Sequence, residues 1–162
     1  MPTYSVKILN LSYGPDHQSV FIEWFGINNK GEIVGRCQTD KAFSLMYYPG
    51  SGTKLKINRI GSSTVGGCGI NDSGIIVGGY QTSLPEHFYG YVLQNIDSSD
   101  FQTIGVDAQL DSYEAFCVNN HGIVTGRHNL YDNNNNPRGQ PFTYDCRTKV
   151  ITPYLRHSPR WP

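Results

Sequence analysis

The sequence predicts an all-β fold of three four-stranded antiparallel repeats, arranged like the blades of a β-propeller. Three observations support this prediction. One phrase, in which an apolar run, an Asn/Asp-rich turn and a β-branched run follow one another, occurs at 26–35, 69–78 and 117–126. Its copies are 43 and then 48 residues apart, a spacing typical of a four-stranded blade. The chain also contains 18 Gly and 11 Tyr, which favours strands and turns over helices.

The repeated phrase predicts a β-hairpin. Asn and Asp tolerate the left-handed backbone region and bond their own backbone two residues on. Glycine reaches positive φ without steric cost, and each turn ends in one, at Gly31, Gly74 and Gly122. The branched side chains that follow suit a pleated surface. A second glycine then interrupts each strand, and a strand glycine marks a bulge or the close approach of another backbone; these glycines are Gly35, Gly78 and Gly126.

The chain is interpreted as one domain, residues 1–162, because this length suits a single core. An alternating segment at 4–11 predicts an extra N-terminal strand. The repeats then cover approximately 19–61, 62–109 and 110–153. In each repeat the two strands of the hairpin precede an aromatic third strand and a fourth, outer strand. The third strands are predicted at 42–48, 87–93 and 140–144, and the fourth at 54–60, 101–106 and 149–152.

Three blades are fewer than the roughly four to eight of ordinary propellers. Two chains arranged head to tail about a two-fold axis would close a six-bladed ring, and the spare strand at 4–11 would complete a blade of the partner. The sequence therefore predicts a homo-oligomer, namely a dimer. A β-trefoil, or another compact threefold β fold, is the alternative, since its three units also total about this length.

Composition excludes several classes of function. The 13 basic and 13 acidic residues give zero formal net charge, which removes the electrostatic case for binding nucleic acid or an anionic membrane. No apolar run is long enough to span a membrane, and residues 1–9 lack the pattern of a signal peptide. The expected location is the cytoplasm, or the exterior if a signal has been removed. The four cysteines form no Cys-x-x-Cys pair, and both free thiols and disulfides remain open for Cys37, Cys68, Cys117 and Cys146.

The phrase Gly-Ile-Asn-Asn-x-Gly-x-Ile-Val-Gly, with a short aromatic strand after it, resembles the bacterial "probable extracellular repeat, HAF" family. Residues 26–35 and 69–78 carry the resemblance, and 117–126 carry it less closely. The His-Ala-Phe strand of that family is echoed by Ala42-Phe43, Gly90-Tyr91 and Pro141-Phe142, although Lys41, Tyr89 and Gln140 stand where the histidine would be. The resemblance covers about 4–153. It implies propeller-type repeats and export, and it implies no particular activity.

A polar cluster just beyond each strand glycine is the candidate site, because binding groups concentrate in loops on a rigid scaffold. An amide recurs at the third place of each cluster, and planar amides with aromatic neighbours suit a glycan or a protein surface. The candidate ligand-binding residues are Arg36, Gln38, Tyr80, Gln81, His87, Arg127, His128 and Asn129. The structural alternative is that the amides cap strand ends. The sequence thus favours a non-enzymatic module that binds through one rim.

Two other functions remain open. A small enzyme would use His87 or His128 as its base, but the chain lacks a nucleophile elbow, a phosphate loop and a His-Glu-x-x-His motif, so no catalytic residue is identified. A structural oligomerisation subunit would use the spare strand and the exposed blade faces. The Asn-rich loop at 132–136 lacks the acidic last ligand of a calcium loop. Neither a metal nor a cofactor is therefore predicted.

Overall fold

A computed structural model describes residues 21–38, 43–50, 55–57, 62–82, 88–97, 101–105, 112–131 and 137–154. Within these ranges the chain forms strands and turns without a helix, which confirms the all-β prediction. The strands are β1 (Phe21–Ile27), β2 (Ile33–Gln38), β3 (Phe43–Tyr48), β4 (Leu55–Ile57), β5 (Ser62–Ile70), β6 (Ile76–Thr82), β7 (Phe88–Leu93), β8 (Phe101–Ile104), β9 (Ser112–Val118), β10 (Ile123–Tyr131), β11 (Pro137–Asp145) and β12 (Ile151–Pro153). The predicted strand at 4–11 lies outside the described residues.

Each repeat is an antiparallel meander. In the first repeat β1, β2 and β3 pair in order, and the three-residue β4 pairs with β3. The second repeat pairs β5 to β8 in order and the third pairs β9 to β12. One parallel pair, Phe43 with Thr64, links β3 to β5. No sheet closes on itself among the described strands, and strand order alone establishes neither a propeller nor a trefoil.

The asparagine at the start of each turn builds the reversal that the sequence predicts. The side-chain oxygen of Asn71 accepts hydrogen bonds from the backbone N–H groups of Ser73 and Ile75, at 3.0 and 2.9 Å. Asn28 and Asn119 make the same pair of bonds in their own turns. The turn glycines take the left-handed conformation, with φ of 77° to 82°. The repeated phrase is therefore a hairpin in all three repeats.

The second glycine of each phrase lies opposite a β-bulge. The bulge residues are Phe25, Cys68 and Phe116, each of which is skipped by the pairing register of its strand. A Cβ added to Gly78 would lie 1.9 Å from the carbonyl oxygen of Gly66, and the equivalent distances at Gly35 and Gly126 are 1.9 and 2.0 Å. Only glycine leaves room for a carbonyl at that distance. The predicted close approach of a backbone is confirmed at all three glycines.

The first strands of successive repeats pack backbone to backbone. A Cβ at Gly26 would lie 3.0 Å from the Cα of Gly69, and one at Gly69 would lie 3.1 Å from the Cα of Cys117. Because these two positions carry no side chain, β1, β5 and β9 approach one another directly. In the third repeat the equivalent residue is Cys117, which is exposed. Stacking of the repeats therefore rests on glycine at each internal junction.

Two apolar cores lie between successive repeats. The first contains Val34, Leu45 and Tyr47 of the first repeat together with Ile70 and five other buried residues of the second. The second core joins Val77, Val92 and Ile104 to residues of the third repeat, including Phe142. Each core draws its side chains from two repeats, so neither repeat could bury these side chains alone.

The three turns also bond to one another, and together they form a surface that we call the turn layer (residues 28–31, 71–74 and 119–122). The side-chain N–H₂ of Asn28 donates to the carbonyl of Asn71, and that of Asn71 donates to the carbonyl of Asn119, both at 2.9 Å. A second row runs beside the first. The backbone N–H of Asn29 donates to Asp72 Oδ1 at 2.8 Å, and the N–H of Asp72 donates to Asn120 Oδ1 at 3.0 Å. The turn layer thus ties the repeats together in chain order.

Candidate functional site

A cleft of about 550 Å³ lies where the three repeats meet. All three bulge residues line it, and we call it the bulge cleft. A bulge adds a residue to one strand and re-aims its side chain. Phe25 is 50% exposed and Phe116 is 41% exposed, while Cys68 is half-buried. Three copies of one local irregularity therefore direct three side chains toward one shared space.

Exposed phenylalanines form the walls of the bulge cleft, and two glycines of the middle repeat form its floor. Phe88, on β7, adds a third exposed phenylalanine to the lining. The middle repeat contributes Gly66 and Gly79, which face each other across β5 and β6. Gly79 leaves bare backbone on that part of the cleft, whereas the side chain of Arg36 lies over Gly66. A cleft of this volume falls within the range of small-ligand and peptide sites, roughly 300–1,000 Å³.

Two ion pairs flank the glycine floor. In the first repeat Arg36 pairs with Glu23 across β1 and β2, and its guanidinium lies 5.4 Å from the ring centre of Phe25. In the third repeat Arg127 donates to both carboxylate oxygens of Glu114 at 3.0 Å. In the middle repeat, Gly66 and Gly79 occupy the paired positions that are equivalent to these two ion pairs. One arginine, Arg36, and one glutamate, Glu114, reach the cleft lining from opposite repeats.

Two of the predicted site residues, Arg36 and Tyr80, line the bulge cleft. Tyr80 is buried for most of its surface: its hydroxyl lies 2.8 Å from Thr103 Oγ1, and its ring stacks on Tyr89 with centres 5.2 Å apart. Arg127 does not line the cleft, but its ion-pair partner Glu114 does. Tyr80 therefore presents little free surface to a ligand.

The other predicted residues do not converge on the cleft lining. His128 is buried, and its ring stacks on Tyr113 with centres 4.1 Å apart. Gln81 and Asn129 are half-buried on β6 and β10. Gln38 ends β2, where it pairs with Phe21 and Phe43, and its side chain lies outside the described part of the structure. His87 lies outside it altogether.

Sequence reasoning missed the bulge residues themselves. Phe25, Cys68 and Phe116 each stand one residue before the repeated phrase. The alternation of side chains along a regular strand gives no reason to single these positions out. A bulge shifts the alternation by one residue, so the side chain points elsewhere than the pattern predicts. The strand glycine opposite each bulge was the available signal.

The thiol of Cys68 belongs to the lining of the cleft. Burial raises the pKa of the Cys68 thiol to about 11, although the positive charge of Arg36 opposes this, so the thiol is protonated at neutral pH. Within the described ranges no three His, Cys, Asp or Glu side chains come together as metal ligands would. The four cysteines carry free thiols.

No protein-family model, characterised protein or solved structure matches this chain. Within the described segments, no helix has the length and apolar character needed to cross a membrane. Any functional conclusion therefore rests on the residues of the bulge cleft and of the turn layer.

Proposed function

We propose that the chain is a non-catalytic β-repeat module that binds an extended, apolar segment of another protein in the bulge cleft. The observation that carries the proposal is the convergence of the three bulges on one space. Exposed aromatic side chains that cluster in a concave surface are a mark of interaction sites. Phe25, Phe88 and Phe116 form such a cluster.

The floor of the cleft favours a polypeptide ligand. A Cβ at Gly79 would meet nothing closer than 3.8 Å, so the main chain of a ligand can approach the sheet closely there. Arg36 and Glu114 flank this floor with opposite charges, which suits the alternating carbonyl and amide groups of a peptide. The phenylalanines would then take the apolar side chains of the segment.

A glycan is the second candidate ligand, because the faces of Phe25 and Phe116 would also stack on sugar rings. The amides that pointed to a sugar in the sequence, Gln81 and Asn129, are half-buried and do not line the cleft. This distribution favours the peptide over the glycan.

We further propose that the three meanders are blades of a propeller-type array related to the HAF repeats. Two features support a blade-like arrangement. Each first strand packs against the first strand of the next repeat, and each core lies between two neighbouring repeats. In a propeller, successive blades are joined in this way around an axis.

The test is selection of peptides from a displayed random library on the immobilised full-length chain. We expect enriched peptides to carry aromatic or aliphatic side chains. Phe116→Ser should weaken a selected peptide about tenfold or more, because an aromatic anchor is removed from the centre of the contact. Isothermal titration measures the affinity, and circular dichroism confirms that the variant is folded.

Val150→Ser is the matched control, since Val150 is an exposed apolar residue that does not line the bulge cleft. It should leave the affinity for the selected peptide unchanged. A failure to enrich any peptide, or equal affinities for wild type and Phe116→Ser, would contradict the proposal. Binding on a glycan array that is lost in Phe116→Ser, with no peptide enriched, would assign the cleft to a sugar instead.

A further inference from the structure

We propose that a second copy of this chain binds head to tail on the turn layer, so that the third repeat of one copy meets the first repeat of the other. This inference does not depend on what the bulge cleft binds. It starts from the fact that the two internal junctions use one shared pair of hydrogen bonds. In that pair the asparagine side chain donates to the next asparagine carbonyl, and the following backbone N–H donates to the next side-chain oxygen.

The third repeat ends this pattern with two donors. The side-chain N–H₂ of Asn119 and the backbone N–H of Asn120 occupy the donor places of the pattern, and neither has an acceptor among the described residues. Both residues are exposed. The surface beyond the third repeat therefore offers two directed donors that are accessible to another molecule.

The first repeat begins the pattern with two acceptors. Among the described residues, the carbonyl of Asn28 accepts only the N–H of Gly31, whereas the carbonyls of Asn71 and Asn119 also accept the preceding asparagine side chain. Asn29 Oδ1, which stands where Asn120 Oδ1 accepts the N–H of Asp72, has no donor within the described ranges. The two ends of the turn layer are therefore complementary to each other.

An apolar side chain supports the same direction of docking. Ile27 is 68% exposed, whereas its counterpart Ile70 is 6% exposed because it packs in the core shared with the first repeat. A third repeat from another copy would cover Ile27 in the same way. Two contacts of this kind close a two-fold ring of six repeats. A head-to-tail interface that did not close in a ring would continue into an open filament.

The contact between copies would be more polar than the internal junctions. Cys117 and Thr125 stand where the second repeat has Gly69 and Val77, and both are exposed. Interfaces between separately folded chains carry polar groups of this kind, in contrast to the cores within a chain. We therefore expect a reversible dimer that depends on protein concentration.

Sedimentation equilibrium of the full chain tests the proposal. The wild type should approach twice its 18.1 kDa mass as concentration rises. Asn119→Asp should remain a monomer with an unchanged melting temperature. The aspartate still accepts the turn bonds from His121 and Ile123, but it cannot donate, and it faces the partner's Asn28 carbonyl with an oxygen.

Asn71→Asp is the matched control, since its side-chain donor serves an internal junction and Asn71 lies at neither end of the turn layer. It should lower the melting temperature and leave the dimer in place. Ile27→Glu is a second test variant, at a residue outside the turn layer, and it should also be monomeric. A wild type that stays monomeric at roughly millimolar concentration, or a dimer that survives both Asn119→Asp and Ile27→Glu, would overturn the proposal.

Discussion

Replacing Gly78 with alanine is expected to lower the free energy of unfolding by about 3 kcal/mol or more, which is enough to unfold many domains of this size. The added Cβ would lie 1.9 Å from the carbonyl oxygen of Gly66 and 2.9 Å from the ring of Tyr91. Neither neighbour can move freely. Tyr91 is fully buried, and its hydroxyl donates to that same carbonyl at 3.0 Å. The substitution would therefore push apart β5 and β6, the first two strands of the middle repeat.

Gly79→Ala, one residue further along the same strand, is the matched control. Its Cβ would meet nothing closer than the carbonyl oxygen of Tyr89 at 3.8 Å, which is an ordinary contact. We expect a change within about 1 kcal/mol, because only the intrinsic preference of the backbone differs. Equilibrium unfolding in urea measures both variants. Equal losses for the two substitutions would show that the bulge in β5 does not require glycine opposite it.

Asn71→Ala is expected to cost about 2–4 kcal/mol, the second largest effect of a single substitution. The change removes two hydrogen bonds within the turn and one to the carbonyl of Asn119. Because Asn71 is buried, the backbone N–H groups of Ser73 and Ile75 lose their acceptor where water has poor access. The free energy of unfolding in urea is again the measurement.

Asn119→Ala separates the contribution of the turn from that of the junction. Asn119 makes the same two bonds in its own turn, but it is exposed, and its side-chain donor serves no internal junction. We expect a loss of about 1 kcal/mol, since water can replace the missing acceptor. If Asn119→Ala costs as much as Asn71→Ala, the bond between repeats contributes nothing measurable.

Local chemistry explains which features of the fold the sequence could predict. Asn at the start of a turn and Gly at its end act through their own backbone, so the hairpins at Asn28, Asn71 and Asn119 were predictable from a few adjacent residues. The strand glycine, such as Gly78, likewise indicated a close approach. A carbonyl of the paired strand approaches it. The bulge that brings this carbonyl there is indicated only by the opposite glycine, and the bulged residue itself carries no sequence signal.

The candidate site was less predictable because neighbouring residues of a strand point to opposite faces. The polar cluster after each strand glycine was interpreted as one rim. In the structure its second members, Cys37, Tyr80 and His128, are all buried, while Arg36 and Arg127 stand on the other face and pair with glutamates. Equivalent residues of the three repeats therefore lie in similar environments, whereas consecutive residues of one cluster lie on opposite faces of the sheet.

The third repeat differs from the first two at two positions of its hairpin. Val34 and Val77 are fully buried in the cores between repeats, but their counterpart Thr125 is exposed, as is Cys117 opposite it. Polar residues at this face suit a contact between separately folded chains better than a core within one chain. The change from Gly and Val to Cys and Thr was visible in the sequence, and the packing of the sheets gives it a physical reason.

Differential scanning calorimetry of the full chain tests most directly whether the three repeats fold as one unit. Each core is shared by two repeats and the turn layer joins all three, so we expect a single transition with equal calorimetric and van 't Hoff enthalpies. Two or three separate transitions, or a calorimetric enthalpy well above the van 't Hoff value, would contradict the interlocking of the repeats.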